Sequence, residues 1–99
     1  MDIQIHSLGF DAKQELLDFV ENKVNKLSKF SDDIINAEVF LRLMNSSTDD
    51  TKMAEIKIEI PGHELFAKKQ GKSFEESVDN TVDALRKQIQ KYKEKIRGN

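Results

Sequence analysis

Between Ala84 and Arg97 the chain reads ALRKQIQKYKEKIR, which sets Arg86, Lys87, Lys91, Lys93, Lys95 and Arg97 against one acid, Glu94. The segment carries +5 on a chain of net −2, which leaves −7 for the remainder. Cations at this density hold anions, and the commonest large anionic partner is nucleic acid. Lys87, Lys91 and Lys95 recur every fourth residue on one flank of an apolar line through Leu85 and Ile89. Arg86, Lys93 and Arg97 fall on the other flank. Two cationic edges beside a buried stripe could track two runs of phosphate. Late Lys and Arg also complement a helix macrodipole, but six against one acid on an acidic chain is more than that requires.

Lys23, Lys26 and Lys29 form a second set, behind the acids Glu15, Asp18 and Glu21. A helix dipole favours that order too. Lys23 resists this account, because it falls inside an apolar arc among Phe19, Val20 and Leu27. A lysine there must extend over apolar surface, into a groove between helices or along a sheet edge. Lys68, Lys69 and Lys72 could extend the basic surface past the start of the last helix. The candidate anion-binding residues are therefore Lys23, Lys26, Lys29, Arg86, Lys87, Lys91, Lys93 and Lys95.

Other chemistries find little support. The two histidines, His6 and His63, have no acid or nucleophile at motif spacing. They read as exposed polar positions, one in a strand and one in a tight turn. Asp32-Asp33 and Asp49-Asp50 lack EF-hand spacing. There is no Cys for a thiolate ligand or a disulfide, and the four glycines are too scattered for a phosphate-cradling loop. No catalysis, metal, cofactor or small-molecule substrate is expected. Phe10, Phe19, Phe30, Phe66, Phe74 and Tyr92 mostly follow core stripes, and Phe40 falls on the polar side of its strand. One exposed aromatic is not a base-stacking platform, so RNA would be held through phosphates and shape.

The elements that must position these residues follow from periodicity. Ile3 and Ile5 alternate with Gln4 and His6 as a first strand. Asp11 can cap a helix, with Gln14 at capping-box spacing, and Leu16, Val20, Val24 and Leu27 give its apolar stripe. Ser31-Asp32-Asp33 ends it. Ala37, Val39, Leu41 and Leu43 mark a second strand, and Asn45 to Thr51 a polar loop. Ala54, Ile56, Ile58 and Ile60 alternate with charges as a third strand. Pro61-Gly62 suits a type II turn, and Leu65 and Ala67 carry a fourth strand to about Lys69. Ser73 to Glu76 is a capping box. Phe74, Val78, Val82, Leu85, Ile89, Tyr92 and Ile96 then run at helical spacing to the end. The order β-α-β-β-β-α predicts an α+β fold, a four-stranded mixed sheet with both helices on its apolar face. Glu55, Lys57 and Glu59 should solvate the other face.

Ninety-nine residues suit one domain, 1–99, with a modest core. No apolar run approaches the roughly 20 residues of a membrane span, and the start lacks a signal-peptide pattern. A cytoplasmic protein, monomeric when free and away from membranes, is the expectation.

The element order, FVENKVNKL (Phe19 to Leu27) and FEESVDNTVDALRKQIQKYKEK (Phe74 to Lys95) resemble the ribosome hibernation-promoting factors. These are also called ribosome-associated inhibitor or sigma-54 modulation proteins. The resemblance covers essentially the whole chain, with Asp79, Leu85, Gln88, Lys91 and Lys95 in register. It implies binding to the small ribosomal subunit and its ribosomal RNA, in the channel for messenger and transfer RNA. Both helices would contact RNA, and translation would stop in slow growth or stasis. Lys23 and Lys26 match basic positions of the family's first helix, and Lys87, Lys91, Lys93 and Lys95 those of its second. Arg86 stands where relatives often carry a neutral residue, and Lys13 where they often carry a Ser or Thr cap. The chain resembles the short form, without the C-terminal domain that pairs ribosomes. Two other readings fit the basic surface: a general double-stranded RNA-binding module, which shares the α-β-β-β-α order, and a protein-interaction domain docking an acidic partner.

Overall fold

The computed structural model describes residues 1–44 and 51–96. Strand β1 (Asp2–Leu8) leads to helix α1 (Gln14–Asn25), which tightens into a 3-10 turn over Lys26–Lys29. Strands β2 (Asn36–Leu43), β3 (Lys52–Ile60) and β4 (His63–Gly71) follow, and helix α2 (Phe74–Ile96) comes last. The sheet order is β1-β2-β3-β4, with β1 parallel to β2 and the other pairs antiparallel. A mixed sheet results because only the first connection is a helical crossover, while the later strands meander.

Period-2 alternation sorts the two faces. Ala37, Val39, Leu41, Ala54, Ile56, Ile58, Ile60, Leu65 and Ala67 are buried in one core with Val20, Val24 and Leu27 of the first helical segment. Phe74, Val78, Leu85 and Ile89 of α2 enter the same core, so both helices lie on one face. Helix α2 rests on β3 and β4, and α1 lies beside α2 and β1. Two buried hydroxyls tie α2 to β3. Ser77 Oγ lies 2.7 Å from the Lys52 carbonyl, and Thr81 Oγ1 3.3 Å from that of Ala54. Gly71 closes β4 where a Cβ would meet Ser77 Oγ at 2.9 Å, so the strand end and the helix start can approach this closely.

Several expectations need correction. Asp11 does not cap α1: Lys13 occupies the cap position and makes no side-chain cap hydrogen bond, while Gln14 Nε2 donates to Asp18 Oδ1 at 2.9 Å. Leu43 continues the β2 pattern as its last residue but is 46% exposed. Phe66 is not a core residue. Strand alternation puts it opposite to Leu65 and Ala67, where it is 45% exposed across from Lys57. His63 opens β4 instead of standing in the turn, and β4 runs on to Gly71. The turn itself forms as expected, with Gly62 at φ +74°, a value that side chains disfavour. At α2 the capping box is half made: Glu76 N–H donates to Ser73 Oγ at 3.1 Å, but the Glu76 carboxylate accepts from Lys72 N–H. Residues 45–50 of the expected polar loop, and Arg97, lie outside the described residues.

Candidate nucleic-acid interface

The acids of α2 decide which of its cations face outward unpaired. Arg86 donates to Asp83 Oδ1 at 2.8 Å, and Lys87 Nζ lies 3.4 Å from Asp83 Oδ2, one helical turn away. The Arg86 guanidinium first, and the Lys87 ammonium second, hold the Asp83 carboxyl below its ordinary value. Asp83 therefore stays ionised at neutral pH as a built-in counterion. Lys23 leaves the apolar arc as anticipated, lies over the Phe19 ring at 5.5 Å, and reaches Asp79 Oδ1 of α2 at 3.0 Å. Its side chain is only 31% exposed. It fills the groove between the helices as an interhelical clamp more than as an open anion site. The Arg86 guanidinium sits 5.9 Å from the Phe30 ring, so it also braces α2 against the segment after α1.

Lys26 and Lys29 on the 3-10 turn, and Lys91, Lys93 and Lys95 on α2, are exposed. Among the described residues, none of these five meets a carboxylate within 4.0 Å. The eight candidates thus divide into three internally paired cations and five open ones. A shallow groove of about 470 Å³ runs along the other flank of α2, lined by Lys69, Asn80, Asp83, Ala84, Lys87, Gln88 and Lys91. Its far wall is the free edge of β4. Gln88 Nε2 donates to the Phe66 carbonyl at 2.8 Å, which holds helix and strand together there. Lys69 belongs to this groove because it shares a strand face with Leu65 and Ala67. Lys68 points to the other face, across from Glu55. Strand parity distinguishes these two lysines, but only the packing shows that Lys69 adjoins α2.

The outer sheet face is of mixed charge, with Glu38, Glu55, Glu59 and Glu64 beside Arg42, Lys57 and Lys68. His6 stacks on Phe40 with ring centroids 5.0 Å apart, and its Nε2 lies 3.0 Å from Glu38 Oε2, an acid 32 residues away in sequence. Lys57 lies over the Phe40 ring at 6.0 Å. Among the described residues no group of three or more His, Asp or Glu could hold a metal ion.

The profile of the family described as sigma 54 modulation protein / S30EA ribosomal protein matches residues 3–97. The chain belongs to this family. Within it, a Klebsiella oxytoca protein named ribosome hibernation promoting factor is 26% identical over 98% of both chains. A Deinococcus radiodurans protein named ribosome hibernation promotion factor is 22% identical over 91% of this chain but only 48% of its own length. Two solved structures share the fold at 24% identity. A ribosomal subunit interface protein from Coxiella burnetii has a TM-score of 0.83 over 94% of this chain and 98% of its own. The N-terminal domain of Thermus thermophilus Protein Y has 0.79 over 93% and 99%. The β-α-β-β-β-α architecture anticipated from periodicity is therefore the architecture of the family.

Proposed function

We propose that this protein is a ribosome hibernation factor. It lodges on the small ribosomal subunit, in the channel for messenger and transfer RNA, and stops translation by occupying that channel. The observation that carries this reading is the pair of open cations Lys91 and Lys95 on one flank of α2, continued by Lys87 and Lys69 along the β4 groove, with Lys93 open on the other flank. Lys26 and Lys29 extend the basic surface beyond α1. The outer face mixes its acids with Arg42, Lys57 and Lys68, so the denser cations of the helical face favour an approach with the helices toward the phosphates. Family membership and the names of the curated relatives support hibernation as the setting.

Affinity in this scheme comes from phosphate neutralisation and counterion release, and inhibition from excluded volume. No bond is made or broken, and no cofactor is called for. The protein works in the cytoplasm as a single monomeric domain. Among the described residues no helix is long and apolar enough to cross a membrane.

Pelleting with purified small subunits at rising salt, beside free duplex RNA, tests the proposal. The expected result is binding to subunits that weakens with salt and is displaced by messenger and transfer RNA. Salt-insensitive binding would favour an acidic protein partner. Equal binding to any duplex would make the protein a general RNA-binding module.

A further inference from the structure

Past Gln88 and Lys91 the basic groove opens into a second cleft of about 360 Å³, lined by His63, Leu65, Gln88, Lys91, Tyr92 and Lys95. Its chemistry changes there from polar to aromatic. The His63 and Tyr92 rings stack with centroids 5.0 Å apart and planes 11° from parallel. Tyr92 packs partly buried against the core, whereas His63 is exposed where β4 emerges from the Gly62 turn. Leu65, two residues on along the same strand face, adds an apolar wall. Lys91 and Lys95 stand one helical turn apart beside the ring pair, open as described above.

We propose that this cleft takes an unpaired nucleobase, packed against the His63–Tyr92 pair, with the adjoining phosphate held by Lys91 or Lys95. The inference rests on the nucleic-acid reading of the basic surface and adds a base contact to it. Three features fit a nucleotide. A flat aromatic surface suits a base, which stacks on side-chain rings with little regard to its identity. Cations at the rim suit its phosphate. The cleft also adjoins the basic groove through Gln88 and Lys91, so one strand could run from Lys69 and Lys87 to the ring pair. A base locked in a duplex could not turn into the cleft, so the site favours single-stranded segments, loops and bulges.

Tyr92 is the only tyrosine and there is no tryptophan, so intrinsic emission reports on this cleft alone. The full chain is titrated with a short labelled oligouridylate and with an abasic strand of the same length, following strand anisotropy and Tyr92 emission together. Both strands should bind and release with salt, but only the base-bearing strand should quench Tyr92 and bind more tightly. His63→Ala removes an exposed side chain, and Tyr92→Leu retains apolar volume. Each should weaken oligouridylate about five-fold or more, the low end for losing a stacking aromatic, and leave the abasic strand unaffected. Two results would overturn the inference while preserving the basic surface: equal quenching by both strands, or variants that bind both as the parent does. If neither strand binds, the basic-surface reading fails and the base site fails with it.

Discussion

Asp83 accepts from Arg86 and approaches Lys87, so one carboxylate offsets part of the charge of two cations that a charge count from Ala84 onward leaves free, although i,i+3 and i,i+4 spacing on a helix already pairs them with it. Its lowered pKa means that the ion pairs add stability above the unfolded carboxylate value of 3.8 and lose it as pH falls through the lower folded value. At neutral pH the counterion is fully in place. Asp83→Asn should therefore tighten small-subunit binding and steepen its salt dependence; unchanged affinity in a filter-binding or pelleting titration would show that Arg86 and Lys87 stay away from phosphate. The reversed pair Lys87→Glu with Lys91→Glu should abolish inhibition in a translation assay. Both side chains are exposed on the flank of α2, but Lys87→Glu also trades the Asp83 ion pair for repulsion, so unfolding should become easier by about 1 kcal/mol in total. The matched control is Arg42→Glu on the outer face. Lys57→Glu serves less well, since it would set a carboxylate across from Glu38. If the control loses inhibition as fully as the pair, net charge and not the helix face governs binding.

At the scale of elements, α1 starts without a side-chain cap, although the Lys13 backbone already has the extended cap conformation, φ −74° and ψ 154°. Lys13→Ser should supply the missing acceptor and stabilise the fold by about 0.5 to 1 kcal/mol. In a domain of this size that is a rise of roughly 2 to 8 °C in Tm, and a lower Tm would mean that the lysine makes some other useful contact. Helix α2 depends on its buried hydroxyls. Thr81 Oγ1 lies 2.6 Å from the Ser77 carbonyl and 3.3 Å from that of Ala54 on β3. Thr81→Val keeps the shape, loses the donor, and should cost about 1 kcal/mol by denaturant titration. Helix and strand periods were legible because each buried face recurs at a fixed step, as with Ile56, Ile58 and Ile60. Element ends were less so. The Asp11 cap failed because a cap needs a particular backbone geometry, and Leu43 keeps the strand alternation yet is exposed because a strand end is buried only where something lies over it. Neither is a property of local spacing.

For the whole molecule, the open cations set the scale of the salt effect. If Lys26, Lys29, Lys91, Lys93 and Lys95 each meet a phosphate, log affinity should fall with log salt at a slope of about 3.5 to 4.5. A slope near zero over a several-fold change in salt would remove phosphate recognition from the account, and one well above this range would mean that Lys69 also meets a phosphate or that Lys23, Arg86 and Lys87 leave their acids on binding. The sequence by itself determined the element order, the mixed sheet with one apolar face, and a last helix whose cations flank a buried stripe. Repeated burial at a fixed step and covalently placed charge need no tertiary information. Only the tertiary structure decided that Lys23 pairs with Asp79, that Lys69 joins the α2 groove while Lys68 does not, and that His63 lies against Tyr92. Each of these is a meeting of distant residues, set by how α2 lies on α1 and along β4. Ion pairing and stacking act over a few ångströms, so such meetings exist only once the helices have docked.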